Sequence, residues 1–415
     1  MPLDSPFVLL DDNHSDVPCS ALFTGLERVV RLDAADATPD AVYKALQEID
    51  GGVAKGLFAA GALAYELAPH IDPALIARAS PPSGVPLIAM GLFRERRPVN
   101  EGEVDAFLEE RGGTTNPETA PIGRIDLDVT RDDYIRAVEK LRAHIAAGDT
   151  YQVNHTFRAS FPVPGDPIAL FRRLRTTQPV AYGAYVRLPG LDVLSRSPEL
   201  FFKKSGDRIS VKPMKGTAPR GHTPEADRDI ADTLRADPKS RAENVMIVDL
   251  MRNDLGRIAE PGSVRVDSLF DIEAYRSVNQ MTSSVSAKVP RTIGFTDILA
   301  ALFPCGSVTG APKVRTMEII RELETSPRGF YTGAIGHIGP DGDMAFNVPI
   351  RTITITAPQG REMADTPRIG YLGLGSGIVH DSDPAAEFDE CLLKGRYLFA
   401  LSETGVRDSK SEPLP

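Results

Sequence analysis

The stretch YGAYVRLPGLDVLSRSPELFFKKSGDRISVKP, residues 182–213, indicates the fold class of this chain. It contains short runs in which apolar and polar residues alternate, as they do along a β-strand that buries one face. Ser205, Gly206 and Asp207 separate the last two runs in the way that the turn of a β-hairpin does. This stretch therefore predicts short antiparallel strands.

A second group of alternating runs lies between residues 329 and 377, with the turn sequence PDGD inside it. Two antiparallel sheets are the simplest interpretation of the two groups. Other segments have apolar residues at three- and four-residue steps, which predicts helices at about residues 40–48, 128–149, 240–253, 311–324 and 384–401. Thr130 and Asp383 stand where two of these helices need an N-cap.

Residues 97–123 are polar and rich in Gly, Pro and Thr, which predicts an exposed connection rather than core. We divide the chain accordingly. Residues 1–125 are expected to form an N-terminal subregion that contributes to the same fold, residues 126–402 the main region, and residues 403–415 a disordered tail.

The composition is that of a globular protein, with 42% hydrophobic and 25% charged residues among 415. The net charge of -10 argues against nucleic acid or an anionic membrane as a partner, because both require clustered Lys and Arg. The three cysteines are far apart, which argues against a disulfide framework. The chain shows no signal peptide and no apolar run of about 18 residues. We therefore predict a cytoplasmic protein.

Two carboxylates lie near the start of the last predicted helix. Glu387 and Glu390 are three residues apart, so they project from one face close to the positive N-terminus of the helix. A solvated pair of glutamates would have the same spacing. The pair alone therefore does not indicate a site.

The helix in AENVMIVDLMRND, residues 242–254, is apolar over most of its circumference and is predicted to be buried. Glu243 and Asp249 lie in or beside this apolar run, and buried carboxylates need a cation or a full set of donors. Arg252 or Arg257 could supply that cation. Alternatively, Glu243 could face the glutamate pair of the last helix and bind Mg²⁺, which favours carboxylate oxygens. The spacing leaves both interpretations open.

Lys215 lies in PMKGTAPRG just after a predicted strand, where active-site loops often lie. An exposed turn with a solvated lysine is the alternative. The glycine-rich segments FPCGSVTGAPK and GSGIVHDSDP could present backbone N–H groups to an anion. Neither matches a nucleotide-binding loop, and the G-x-S-x-G motif of serine hydrolases is also absent.

Together and in this order, several segments resemble the chorismate-utilising enzymes, which include the large subunits of anthranilate and aminodeoxychorismate synthases and the isochorismate and salicylate synthases. The resemblance covers about residues 128–401 and is carried by GDTYQVNHT, SRSPELFF, PMKGTAPRG, AENVMIVDLMRNDLGRI, FPCGSVTGAPKVRTMEII, GFYTGAIGHI, AFNVPIRT and GSGIVHDSDPAAEFDE. It implies an α+β fold in which two antiparallel sheets pack as a sandwich surrounded by helices, with the substrate cleft between them.

The resemblance also implies roles for the acidic residues. Glu243 and Glu390 would bind Mg²⁺, with Glu387 just behind them, and the metal would hold the C1 carboxylate of chorismate. Glu199 matches the residue proposed to protonate the departing C4 hydroxyl, which requires a carboxyl group that stays protonated near neutral pH. Ser240 is a departure, because several relatives have an acidic residue there.

Further matching positions are implied to bind the enolpyruvyl group. Tyr331, Arg351 and the amide of Gly375 would contact its carboxylate, and the planar guanidinium suits that task. Thr309 and Gly310 belong to a loop that would line the same pocket.

Three positions distinguish members of the family. Gln152 stands where isochorismate and salicylate synthases have a lysine that activates water. Lys215 stands where anthranilate synthases have alanine, and matches a lysine proposed to attack C2 of chorismate in aminodeoxychorismate synthases. Gln280 replaces a histidine of anthranilate synthases.

These positions imply amination of chorismate at C4 through a covalent lysine intermediate, on the route to p-aminobenzoate and folate. The chain lacks the G-x-C-x-G motif of glutamine amidotransferases, so a separate glutaminase subunit or free ammonia would supply nitrogen. Anthranilate synthesis and a noncatalytic role in binding chorismate or the glutaminase are the alternatives.

Overall fold

The computed structural model describes residues 5–15, 19–75, 84–112, 122–275, 278–356, 368–402 and 404–410. Its strands are β1 Phe7–Asp11, β2 Ser20–Leu32, β3 Phe58–Leu63, β4 Ile88–Val99, β5 Ile125–Leu127, β6 Gln152–Val163, β7 Tyr182–Leu188, β8 Leu191–Ser197, β9 Leu200–Ser205, β10 Arg208–Val211, β11 Met214–Pro219, β12 Arg265–Ala274, β13 Val278–Lys288, β14 Gly310–Ala311, β15 Ala334–Ile338, β16 Met344–Asn347, β17 Thr352–Thr356, β18 Arg368–Ile378 and β19 Val406–Arg407.

The helices are α1 Pro39–Ala54, α2 Ala68–Ile71, α3 Glu101–Gly112, α4 Arg131–Ala146, α5 Pro167–Thr177, α6 Pro224–Ala236, α7 Pro238–Gly256, α8 Phe295–Leu302, α9 Lys313–Leu323 and α10 Pro384–Phe399. Among the described residues, none of these helices combines the length and hydropathy that a membrane span requires. The predicted mixture of helices and antiparallel strands is confirmed.

The strands are linked by pairing into one continuous network. It runs in the order β13, β10, β9, β16, β15, β3, β4, β2, β1, β7, β8, β17, β18 and β6. β1 joins two halves, because it pairs with β2 on one side and with β7 on the other. Both groups of strands recognised in the sequence contribute to both halves, so the groups do not correspond to separate sheets.

Two clusters of buried apolar side chains hold the helices against this network. One cluster joins α1, α7 and α8 to strands of the first half. The other joins α3, α4, α5 and α10 to β6, β17 and β18 in the second half. The positions of α7 and α10 are therefore fixed on different halves of the network, and the candidate site forms between them.

The helix starts follow the local sequence. The hydroxyl of Thr130 accepts a hydrogen bond from the amide of Asp133 at the start of α4. The carboxylate of Asp383 accepts one from the amide of Ala386 at the start of α10, and Pro384 occupies the first helical position. Both predicted N-caps are confirmed.

The prediction of an exposed connection over residues 97–123 is wrong where the structure describes that segment. Its beginning completes β4, and residues Glu101–Gly112 form α3. Val104 and Leu108, four residues apart, are buried against the second core cluster. The many charged residues of α3 lie on its outer face and concealed this pattern. Residues 113–121 lie outside the described residues.

The expectation of a disordered tail does not hold for residues 404–410. Val406 and Arg407 pair in parallel with Ile125 and Asp126 of β5, and Asp408 is buried. Residue 403 and residues 411–415 lie outside the described residues. The backbone hydrogen bonds of β5, which no sequence pattern revealed, hold this segment.

Replacing Leu108 by Ala tests the assignment of α3 to the core. Because Leu108 is fully buried, we expect the free energy of unfolding to fall by about 2–5 kcal/mol, measured by urea denaturation. Glu110→Ala, on the exposed face of the same helix, should change it by less than about 0.5 kcal/mol. Equal effects of the two variants would contradict the assignment.

Candidate active site

The amine of Lys215 lies where β11 approaches β6 and β18. A Cβ atom added to Gly377 of β18 would lie 3.1 Å from Lys215 Nζ and 2.9 Å from Gln152 Nε2. Gly377 is therefore required by the close approach of these two side chains. Lys215 and Gln152, which are 63 positions apart in the sequence, meet at one point of the structure.

Burial lowers the pKa of Lys215 from its usual value. Nearby Glu243 opposes this effect, and Lys394 adds to it because a second positive charge disfavours protonation. Among the described residues Lys215 forms no ion pair within 4.0 Å. The environment therefore makes the amine easier to deprotonate than a lysine in water.

Arg220 lies five residues after Lys215 in PMKGTAPRG, but its guanidinium is bonded to other groups. It donates to Asp227 at 2.6–3.1 Å and to the carbonyl of Tyr275. Arg220 therefore holds the start of α6 against the sheet, and Lys394 is the cation that acts on Lys215.

Gln152 is fully buried at the start of β6. Among the described residues, neither its amide oxygen nor its amide nitrogen has a hydrogen-bond partner. Buried polar groups are normally satisfied, so an unpaired amide beside a reactive amine indicates a place for a ligand. This amide can both donate and accept a hydrogen bond.

Glu199 lies in the connection between β8 and β9. Its amide donates to the hydroxyl of Ser197 at 3.1 Å, and its Oε1 has no hydrogen-bond partner among the described residues. Burial raises the pKa of Glu199 to about 7, although a hydrogen bond from Ser307 and the charge of Lys215 oppose this rise. The carboxyl group can therefore remain protonated near neutral pH, as a general acid must.

The three predicted metal-binding glutamates approach one another from α7 and α10. Burial raises the pKa of Glu243, and the negative charges of Glu387 and Glu390 raise it further. The charges of Lys215 and Lys239 have the opposite effect. Glu243 therefore lies within electrostatic reach of the pair on α10, in agreement with one of the two interpretations left open by the sequence.

The other interpretation, pairing with an arginine, applies instead to Asp249. It is exposed and forms an ion pair with Arg252 at 2.8 Å. α7 is also less buried than its apolar sequence predicts, since Val245 is 39% exposed. One face of the helix packs on the sheet and the other is open.

Two of the glutamates already have partners. Glu390 accepts from Lys394 Nζ at 2.7 Å, and the same amine donates to the carbonyl of Gly375 at 3.0 Å. Glu387 accepts from the hydroxyl of Ser382 at 2.6 Å. In the described part of the chain, no three His, Cys, Asp or Glu side chains are grouped closely enough to hold a metal ion.

The donor set nevertheless fits Mg²⁺. All three side chains are carboxylates, which this ion prefers, and their repulsion raises the pKa of Glu243 in the absence of a divalent cation. Lys394 supplies one positive charge beside Glu390.

Arg351 immediately precedes β17 and has a positive φ of 50°, which is unusual for a residue with a side chain. Within the described residues it forms no ion pair, and its guanidinium donates only a long hydrogen bond of 3.4 Å to Gln178. Burial lowers its pKa, although Arg351 stays charged. A largely buried guanidinium without a carboxylate partner can bind an anion.

Tyr331 packs directly on Gly373 of β18, where a Cβ atom would lie 2.1 Å from its ring. Gly375, two residues further along β18, pairs with Thr156 of β6. Tyr331 is buried, and burial raises its pKa, so the phenol stays neutral and can donate to an anion.

Thr309 and Gly310 connect the site to α9. The buried hydroxyl of Thr309 donates to the carbonyls of Cys305 and Gly306 at 3.2 and 3.3 Å. A Cβ atom on Gly310 would lie 2.0 Å from the carbonyl oxygen of Gln152. These two residues therefore shape the wall beside Gln152, and the threonine hydroxyl holds its own loop.

Gln280 is bonded to β11. Its amide nitrogen donates to the carbonyl of Gly216 at 2.9 Å, and its amide oxygen accepts from the hydroxyl of Thr217 at 2.9 Å. The hydrogen-bond donor and the acceptor of this side chain are thus both used next to Lys215. Those of Gln152 have no partner among the described residues.

Sequence reasoning missed Lys394 and Ser307. Lys394 lies four residues after Glu390 on the same helix, a spacing that could have indicated an ion pair. Ser307 lies between Glu199 and the thiol of Cys305, whose Sγ is 3.2 Å from the serine hydroxyl. No local pattern in the sequence could have indicated the contact between Ser307 and Glu199.

A family model described as chorismate binding enzyme matches residues 6–400 of the chain. The chain belongs to this family. It is 42% identical over 294 residues to aminodeoxychorismate synthase component 1 of Bacillus subtilis, an alignment that covers 71% of this chain and 60% of that protein. It is also 42% identical over 271 residues to an anthranilate synthase component 1 of Haloarcula marismortui, covering 65% of this chain and 53% of that protein.

The fold is shared with anthranilate synthase component I of Streptococcus pneumoniae. The TM-score is 0.75 at 25% sequence identity, and the match covers 92% of both chains. The chain spans just over half the length of the two curated relatives named above. Their activities, substrates and partners therefore enter below as part of a proposal.

The pKa of Glu199 gives a prediction for the pH dependence of stability. Because burial raises this pKa from 4.5 to about 7, the protonated group is favoured in the folded chain. The stabilisation of the folded chain by protonated Glu199 is complete below pH 4.5 and is lost as the pH rises to about 7. Between pH 4.5 and 8, the free energy of unfolding of the parent should fall by roughly 3 kcal/mol more than that of Glu199→Gln, measured by urea denaturation at each pH.

Glu66 provides the reason for measuring the difference between parent and variant. Burial also raises the pKa of Glu66 to about 7, and that group titrates identically in both proteins. Parallel pH profiles for the parent and Glu199→Gln would show that folding does not raise the pKa of Glu199.

Proposed function

We propose that this chain converts chorismate and ammonia to 4-amino-4-deoxychorismate, with Mg²⁺ and a covalent intermediate at Lys215. The observation that carries the proposal is the amine of Lys215, which lies beside the unpaired amide of Gln152. Burial lowers the pKa of this amine, and a deprotonated lysine is an effective nucleophile.

Binding of chorismate, a dicarboxylate, requires a positive charge for each of its two carboxylates. Arg351 has no carboxylate partner among the described residues and would pair with the enolpyruvyl carboxylate, to which Tyr331 would also donate. Glu243 and Glu390 would hold Mg²⁺, with Glu387 behind them. When bound, Mg²⁺ supplies the positive charge that neutralises the C1 carboxylate.

In the first step, Glu199 would donate its proton to the C4 hydroxyl of chorismate while the amine of Lys215 forms a bond to C2. The C4–O bond breaks, water leaves, and the ring double bonds shift. The protonated state of Glu199 and the neutral state of Lys215 are both favoured by burial. Lys215 then loses a proton to become a secondary amine.

In the second step, ammonia would attack C4, the double bonds shift back, and the bond between C2 and Lys215 breaks. Lys215 regains its proton as it leaves, and the ammonia nitrogen loses one. The amide oxygen of Gln152 has no hydrogen-bond partner among the described residues and would accept a hydrogen bond from the incoming ammonia. The product keeps its enolpyruvyl group.

The relatives leave two reactions to distinguish. The Bacillus subtilis protein is named aminodeoxychorismate synthase component 1, and the Haloarcula marismortui protein is named anthranilate synthase component 1, at the same 42% identity. Lys215 and Gln280 favour the first. Anthranilate formation is the second candidate because of the comparable similarity.

The partner in the proposal is a separate glutamine amidotransferase subunit that releases ammonia from glutamine. The product would then lead to p-aminobenzoate and folate. The word component in the names of the relatives supports this arrangement. A noncatalytic chorismate- or glutaminase-binding role is disfavoured, because Glu199, Lys215 and the three glutamates are all present.

The first test of the proposal is identification of the product. The purified chain is incubated with chorismate, Mg²⁺ and ammonium chloride at alkaline pH, and the product is identified by mass and absorbance. We expect aminodeoxychorismate, and none when EDTA removes the divalent ion. Anthranilate, isochorismate or unchanged chorismate would each contradict the proposal.

The second test concerns the covalent intermediate. Lys215→Ala should lower the rate of aminodeoxychorismate formation by roughly 100-fold or more, because the nucleophile that divides the reaction into two steps is lost. Lys203→Ala, at an exposed position of β9, should retain the parent rate. If Lys215→Ala makes the product as fast as the parent, the covalent step is wrong.

A further inference from the structure

Lys215 lies in a β-bulge. Met214 pairs with Thr282 and Thr217 pairs with Gln280, so β11 advances three residues where β13 advances two. The extra residue leaves Lys215 and Gly216 outside the regular pairing. Bulges of this kind turn a side chain away from the direction that the strand would otherwise give it.

The bulge is confined on one side by α7. Gly216 has a positive φ of 88°, and a Cβ atom there would lie 2.9 Å from Cβ and 3.1 Å from Oγ of Ser240. Only glycine adopts this conformation readily and also leaves room for the serine. The backbone of the bulge at Gly216 therefore lies directly against Ser240 of α7.

The bulge is held on the other side by Gln280 of β13. Its amide nitrogen satisfies the carbonyl of Gly216, which the bulge removes from regular pairing, and its amide oxygen accepts from Thr217. The two hydrogen bonds connect one side chain to both residues that follow Lys215. Rotation of the bulge would break both at once.

We propose that Gln280 is a positioning residue for Lys215, and that its two hydrogen bonds to the bulge of β11 aim the lysine amine at Gly377 and Gln152. The proposal rests on the proposed function only in so far as the amine is the nucleophile there. Gln280 acts through Lys215 and does not contact the reacting atoms.

Gln280→Leu removes both hydrogen bonds while keeping a side chain of similar size. We expect kcat to fall by about 10- to 100-fold, because a displacement of about 1 Å is enough for such a loss. KM for chorismate should stay close to the parent value, since Arg351 and Tyr331 lie outside β11 and β13. A fall in kcat/KM caused only by a raised KM would overturn the proposal.

The position of the amine can be measured without turnover. The purified chain is treated with acetic anhydride, and acetylation of Lys215 is followed by mass spectrometry relative to the exposed Lys44. In Gln280→Leu the amine leaves its pocket, so its labelling rate should rise severalfold. An unchanged labelling rate would overturn the proposal, even if the variant is less stable.

Two threonine variants serve as a matched pair. Thr217→Val removes one of the two hydrogen bonds of Gln280 and should raise the labelling rate by less than Gln280→Leu does. Thr24→Val removes a cross-strand hydrogen bond to Glu95 between β2 and β4 and should leave the labelling of Lys215 unchanged. Equal labelling in the two threonine variants would contradict the proposed role of the bulge.

The two proposals can fail separately. If Lys215→Ala retains the parent rate, covalent catalysis is wrong, while the labelling of Lys215 in Gln280→Leu still decides whether Gln280 positions the amine. If labelling is unchanged but Lys215→Ala is inactive, covalent catalysis stands and the role of Gln280 is wrong.

Discussion

The burial of the Lys215 amine, which forms no ion pair among the described residues, is the constraint on which the candidate site depends. Removing an ammonium group from water is costly unless a carboxylate compensates for it, and the cost falls if the group loses its proton. Glu243, Glu199 and Glu390 lie near Lys215 and favour its charge, yet burial outweighs them. Burial has the opposite effect on the pKa of Glu199, which it raises, because it favours the protonated carboxyl group. Burial thus shifts the pKa of Lys215 and the pKa of Glu199 toward the neutral form of each group, as the proposed function requires.

Cations around this pocket are arranged in two ways. Lys394 is tied to Glu390 and to the carbonyl of Gly375, so its charge is already compensated. Arg351 has no carboxylate partner among the described residues, and its charge is available to a ligand. In the proposed function, Arg351 would bind one carboxylate of the substrate, and a divalent ion held by the glutamates would bind the other.

The site is assembled from elements that are distant in sequence because the strand network is continuous. β6 supplies Gln152, β11 supplies Lys215, and β18 supplies the glycines that allow these side chains to approach. α7 lies against β11 and β13, whereas α10 lies against β18, so the glutamates of the two helices face each other across the space between them. A change in the register of either β11 or β18 would separate these groups, since a slip of one residue turns each side chain to the opposite face.

The sequence by itself determined the local features and the family. Alternation predicted the strands, Thr130 and Asp383 predicted two helix starts, and the order of the motifs indicated chorismate-utilising enzymes, because each of these signals lies within a few neighbouring residues. Only the tertiary structure decided which strands pair, that α3 belongs to the core, and that Glu243 faces Glu390 while Asp249 pairs with Arg252. It also decided that both hydrogen-bonding functions of Gln280 are used on β11 and those of Gln152 are unpaired. Pairing, burial and the pKa shifts depend on contacts between residues far apart in the chain, and a local pattern contains no information about its distant partner.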